Sequence, residues 1–174
     1  MAEDFVKRAS MNEALSRRGF LKGAAALSIA STVPAVAQGS KGGSYNGKTF
    51  AYVGCYTGAV GDGSNGNGIY LFEMDSQTGA LSPLKLAAEI GSPSWLSLHP
   101  SGRYLYAANE VTNFDGTSGS VSAYAVDRVS GDLRFLNTVS SEGGGPAYLS
   151  ADADGKYVFV ANYAGGSIAV LPIL

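Results

Sequence analysis

Two polar pairs stand at matching places in this chain: Asn109-Glu110 and Asn162-Tyr163 lie 53 residues apart, each closing an apolar run that begins at Tyr104 or Tyr157. A carboxylate such as Glu110 accepts a proton from water, so it is the candidate catalytic base. Amide and phenol groups donate hydrogen bonds to an oxygen that becomes negative as an ester carbonyl is attacked. Trp95 and Tyr148 recur at the same 53-residue spacing, and Tyr56 stands in Gly54-Cys55-Tyr56-Thr57. The candidate substrate-binding residues are therefore Tyr56, Asn109, Glu110, Tyr148, Asn162 and Tyr163, with no other residue assigned a catalytic role. The competing reading makes the asparagines turn caps and the aromatics packing residues.

Other chemistries find less support. His99 is the sole histidine and sits in His99-Pro100-Ser101-Gly102, a turn sequence in which the ring serves the local backbone. No G-x-S-x-G elbow occurs, so a serine nucleophile has neither its turn nor its base. Residues 61–68 spell G-x-G-x-x-G, but a strand rather than a helix follows, which argues against a dinucleotide fingerprint. Asp62, Asn65 and Asn67 of that loop offer oxygen ligands to a divalent cation such as calcium, yet one carboxylate is thin for a hard cation. No cofactor or metal is expected.

The elements that must position these groups are announced by an internal repeat. Pro93 followed by residues 102–109 returns as Pro146 followed by residues 155–162, and residues 47–54 and 68–72 give a third, earlier unit. Asp75 to Leu81 matches Asp127 to Leu133, repeating an aspartate that opens a turn and a glycine suited to positive φ. Strands are expected at 49–57, 68–75, 81–90, 94–99, 103–111, 120–127, 133–140, 147–151, 156–163 and 167–172, with no helical period among them. Repeats of this length built from short strands indicate an all-β fold, a partial β-propeller of about two and a half four-stranded blades. The first unit starts at a second strand and the last ends after a third, which reads as an N-terminal fragment of a larger ring. In a propeller the loop entering the first strand and the loop leaving the second open on one face, where the polar and aromatic candidates converge.

Residues 1–37 form a different region. Arg17-Arg18 precede a short apolar stretch and Ala35-Val36-Ala37, the order of a twin-arginine export signal with its cleavage site. The apolar stretch is too short and alanine-rich for a membrane span, so no stable span remains after cleavage. Residues 38–47 read as a Gly/Ser-rich flexible linker and 48–174 as the propeller part. The expected location is periplasmic or secreted, with the twin-arginine machinery as a partner. Cleavage removes five of the twelve basic and three of the fourteen acidic side chains, leaving a net charge of −4 and no basic cluster, which speaks against nucleic acid. Cys55 is the single cysteine, so no internal disulfide is available.

Gly54-Cys55-Tyr56-Thr57, residues 68–72, 99–110 and 145–173 together resemble the propeller-type lactonase family, which includes 6-phosphogluconolactonases. The resemblance covers 48–174 and implies a seven-bladed ring of which the later blades are absent here. It implies a hydrolase that opens a small-molecule sugar lactone, with its chemical residues mainly in later blades. Tyr148 stands where relatives usually carry histidine, and Cys55 where they usually carry threonine. Two alternatives compete with the lactonase reading: an exported propeller that binds without catalysis, and a fragment without function that self-associates through its open blade edges.

Overall fold

The computed structural model describes residues 47–58 and 64–174, all within the compact unit Gly39–Leu174. The expected export signal at 1–37, residues 38–46 of the expected linker and Asp62 lie outside the described residues. Among those described there are ten strands and no helix: β1 (Thr49–Gly54), β2 (Gly68–Met74), β3 (Leu81–Glu89), β4 (Pro93–Leu98), β5 (Tyr104–Asn109), β6 (Ser120–Val126), β7 (Leu133–Ser140), β8 (Pro146–Ala151), β9 (Tyr157–Asn162) and β10 (Ser167–Pro172). They form three antiparallel meanders in the orders β1-β2-β3, β4-β5-β6-β7 and β8-β9-β10. This is the partial propeller the repeat announces, with one complete four-stranded blade between two three-stranded ones.

The turn chemistry repeats as the sequence predicts. Asp75 Oδ1 accepts the N–H groups of Gln77 and Thr78, and Asp127 Oδ1 accepts those of Val129 and Ser130. Gly79 (φ 74) and Gly131 (φ 76) then turn the chain back, in a region where a side chain is disfavoured. A different turn, between β8 and β9 and equivalent to the one at His99, also uses an aspartate: Asp152 Oδ1 accepts from Lys156 and Tyr157. These bonds hold the carboxyls of Asp75, Asp127 and Asp152 below the usual range near 3.8, led by the N–H groups of Thr78, Val129 and Tyr157 respectively.

A pH dependence follows. Because the folded chain binds these protons more weakly than the unfolded one, the stabilisation is fully present above the ordinary carboxyl value and disappears as pH falls through the lowered folded values. Urea midpoints are expected to hold steady above about pH 5 and to decline toward pH 3. Asp127→Asn, which keeps the accepting oxygen but does not titrate, should decline less; an equal decline would mean these turns do not carry the effect.

The strands of the middle blade are buried on both faces because each face meets a neighbouring blade. Leu105 and Ala107 of β5 point into a cluster with Ile69 of β2 and Tyr124 of β6. Tyr106 and Ala108 point the other way, against Leu149, Val158 and Val160 of the third blade. Polar clips reinforce both seams. The Tyr52 hydroxyl donates to the Gly131 carbonyl at 2.8 Å, with its pKa pushed up to about 12 chiefly by burial. Lys85 of β3 pairs with Asp132 of the middle blade, and His99 Nε2 donates to the Gly155 carbonyl at 3.1 Å. His99 Nδ1 accepts the Ser101 N–H at 3.0 Å, so the ring is a turn residue, as its sequence context predicts, and also bridges to the next blade.

The first strand is shorter than the expected span of 49–57. It ends at Gly54, after which Cys55 N–H still reaches the Gly68 carbonyl and Thr57 makes a single parallel bridge to Gly66. Gly54 sits so close beneath the Pro93 carbonyl that a Cβ would collide with it.

Candidate functional site

Strands β1, β5 and β9 each end at the same edge of their sheets, and the segments leading into β4 and β8 arrive there too. One backbone device repeats at this edge. The Glu110 N–H donates to the Ser92 carbonyl at 2.9 Å, and 53 residues on the Tyr163 N–H donates to the Gly145 carbonyl at 2.8 Å. Ser92 (φ 45) and Gly145 (φ 59) hold the same left-handed conformation at equivalent positions, so the entry and exit loops of each blade lock together. Glu110 is thereby fixed in place by its own backbone.

Its side chain is held as well. The Tyr56 hydroxyl, from the first blade, donates to Glu110 Oε2 at 2.6 Å, a charge-assisted bond between neighbouring units. That bond, more than burial, raises the Tyr56 pKa above 10, so the phenol keeps its proton as a donor. On the innermost strands, Trp95 and Tyr148 bring their ring centroids within 4.8 Å at an interplanar angle of 48°. They are 44% and 46% exposed on the innermost strands of adjacent blades. A register irregularity precedes each of them, between Pro93 and Trp95 and between Pro146 and Tyr148. Bulges of this kind re-aim the following side chain. Tyr163 completes the edge, projecting into solvent at 83% exposure.

Asn109 and Asn162 require a correction to the expected site. Both are only 2% exposed, and their amide N–H groups donate inside the blades, while the two Oδ1 atoms are buried with no hydrogen-bond partner among the described residues. Asn109 Nδ2 donates to the hydroxyls of Ser120 and Ser122, at 3.0 and 2.7 Å. Asn162 Nδ2 donates to the Ser141 carbonyl at 2.8 Å and to Ser167 Oγ at 3.2 Å. Each asparagine ties its second strand to the third from within, close to the turn-capping role of the competing reading, and is not on the exposed face. Tyr56, Glu110, Tyr148 and Tyr163 are brought to that face. The Tyr56–Glu110 pairing carried no sequence signal, because the two residues occupy non-equivalent positions of different repeats.

The charge distribution is one-sided. Lys48, Arg103, Arg128, Arg134 and Lys156 all lie toward the opposite ends of their strands, as the registers place them, and Lys85 lies on outer strand β3. Among the described residues, none of the basic side chains stands beside Glu110, and no cluster of three or more His, Cys, Asp or Glu side chains is arranged to hold a metal.

Residues 50–174 match the family described as "Lactonase, 7-bladed beta-propeller". The chain is 37% identical over 126 residues to the 6-phosphogluconolactonase of Bacillus subtilis (strain 168), covering 72% of this chain and 34% of that one. It is 30% identical over 118 residues to the 6-phosphogluconolactonase of Formosa agariphila, covering 68% and 33%. Among solved structures it superposes on the periplasmic gluconolactonase PpgL of Pseudomonas aeruginosa with a TM-score of 0.62 at 33% identity, covering 73% of this chain and 35% of that one. The chain thus spans about a third of the length of the curated relatives it matches. With three blades in the expected meander order and a family match running from the first strand to the last residue, the chain belongs to the lactonase family of seven-bladed β-propellers.

Proposed function

We propose that the face bearing Tyr56 and Glu110 opens a sugar lactone by adding water at its ester carbonyl. The observation that carries this reading is the 2.6 Å Tyr56–Glu110 hydrogen bond at the exposed blade edge of a lactonase-family chain. Glu110 takes a proton from the attacking water as its oxygen bonds to the carbonyl carbon. The phenol of Tyr56 orients the carboxylate for that transfer. The resulting tetrahedral oxyanion is met by an exposed phenol donor, that of Tyr163. The ring C–O bond then breaks, the proton passes to the leaving oxygen, and the product is the open hydroxy acid.

The test follows residual lactone by trapping with hydroxylamine, using the full chain and glucono-1,5-lactone beside an open-chain gluconate ester. Faster loss of the lactone than in buffer, with the ester spared, is the expected result. Lactone loss at the buffer rate would overturn the reading.

Export through the twin-arginine route to the periplasm is part of the same proposal. It is supported by Arg17-Arg18 with the downstream Ala35-Val36-Ala37, and by the periplasmic relative in Pseudomonas aeruginosa. No helix among the described residues is long and apolar enough to cross a membrane. Self-association belongs here too: a groove of about 620 Å³, lined by Leu136 and Val139 of the middle blade and Leu171 and Ile173 at the end of the chain, lies between the middle and third blades, and Ile168 and Val170 of β10 are exposed. An apolar strand edge of this kind favours pairing with a second copy. Gel filtration is expected to give a dimer or larger species that Val170→Lys shifts toward monomer; a monomeric wild type would contradict it.

A further inference from the structure

We propose that Trp95 and Tyr148 form an aromatic platform on which an uncharged sugar ring lies, making them the residues that select the substrate class of this face. The inference rests on the lactone-opening reading for the identity of the ring, but not for its binding. Three observations carry it.

The two rings are in contact at 4.8 Å yet each keeps nearly half its surface open, so the pair is braced and still available. Both residues follow a register irregularity at the start of a first strand, and both are separated by the same 53 residues, so two blades apply one device to present one ring each. The aromatic faces are electron-rich, and the C–H groups on one face of a pyranose ring are their natural complement.

The electrostatics decide the class of sugar. Glu110 places a carboxylate at the same end of the blade as Trp95, while the described lysines and arginines lie toward the far ends of the strands or the outer edge. A phosphorylated sugar would bring a second negative charge to a face that offers it no described cation. Like charges repel at short range, and a buried or half-buried phosphate needs paired donors such as arginine. The platform therefore takes the neutral lactone in preference to its phosphate ester.

Trp95 is the only tryptophan in the chain, so its emission reports this place alone. Titration of the full chain with gluconolactam, a ring-closed analogue that resists opening, is expected to change Trp95 emission saturably. Tyr148→Ala should raise the apparent Kd about tenfold, Tyr148→Phe should leave it near wild type because the ring is kept, and the 6-phosphate of the lactam should bind more weakly. Thermal midpoints of both variants establish that they are folded; if Tyr148→Ala is not, the wild-type titration and Tyr148→Phe still decide. Unchanged Trp95 emission at saturating lactam would overturn the platform, as would equal affinity in a folded Tyr148→Ala, and tighter binding of the phosphate would overturn the class. Saturable binding without lactone opening would leave the platform standing and remove the lactonase reading, so the two failures are distinguishable.

Discussion

Glu110→Gln is expected to slow lactone opening by about 10²- to 10⁴-fold while leaving the fold intact, the range associated with removing a positioned general base. The substitution preserves size, and the amide oxygen still accepts the Tyr56 hydroxyl that holds the carboxylate at 2.6 Å. What disappears is the capacity to take a proton from water, so the loss should fall on kcat more than on KM. Tyr56→Phe removes only the orienting bond and should cost less. The pH profile adds a separate check. Because the bond to Glu110 raises the Tyr56 pKa, the phenol stays a donor throughout the neutral range, and no fall in rate near neutral pH should be traceable to its ionisation. Steady-state rates of the three proteins across pH decide the matter; an unchanged rate in Glu110→Gln would remove the base from the account.

Leu149→Ala is expected to have the largest effect on stability. Leu149 is fully buried and belongs to the cluster in which Tyr106, Ala108 and Val121 of the middle blade meet Val158 and Val160 of the third. Truncating a buried leucine removes its transfer free energy and leaves a cavity that rigid sheets close poorly, a cost of about 2–5 kcal/mol. Against a total domain stability of roughly 5–15 kcal/mol, that is a large fraction. Val129→Ala on the exposed turn between β6 and β7 is the control and should change stability by about 0.5 kcal/mol or less. The check is the urea midpoint with the slope unchanged. Equal midpoints for Leu149→Ala and wild type would mean that the second seam is not a packed interface.

Much of this fold was legible from the repeat, and the reason is physical. The alternation Tyr104, Tyr106, Ala108 against Leu105, Ala107 is apolar on both sides, and only a strand sandwiched between two neighbours has use for that pattern. The aspartate and glycine of each turn act through local backbone geometry, so Asp127 and Gly131 declare their role without reference to the rest of the chain. The site was legible only in part. Asn109 and Asn162 are polar residues at strand ends, a combination that suggests the surface, yet serines on the adjoining strands and loops receive their amides inside the blade. The serines have no pattern that distinguishes them from exposed ones. The Tyr56–Glu110 bond was invisible for another reason: it joins loops of two blades whose approach depends on Gly54 passing beneath Pro93, a tertiary contact with no local periodicity. The register irregularities that present Trp95 and Tyr148 arise from pairing, which sequence alternation alone does not encode.

The most direct test of the lactone-opening account is the initial rate of acid release from glucono-1,5-lactone, measured by titration at constant pH across a series of concentrations of the full chain. The account predicts a rate that rises in proportion to protein concentration above the spontaneous reaction and saturates with lactone. A rate independent of protein concentration would contradict it.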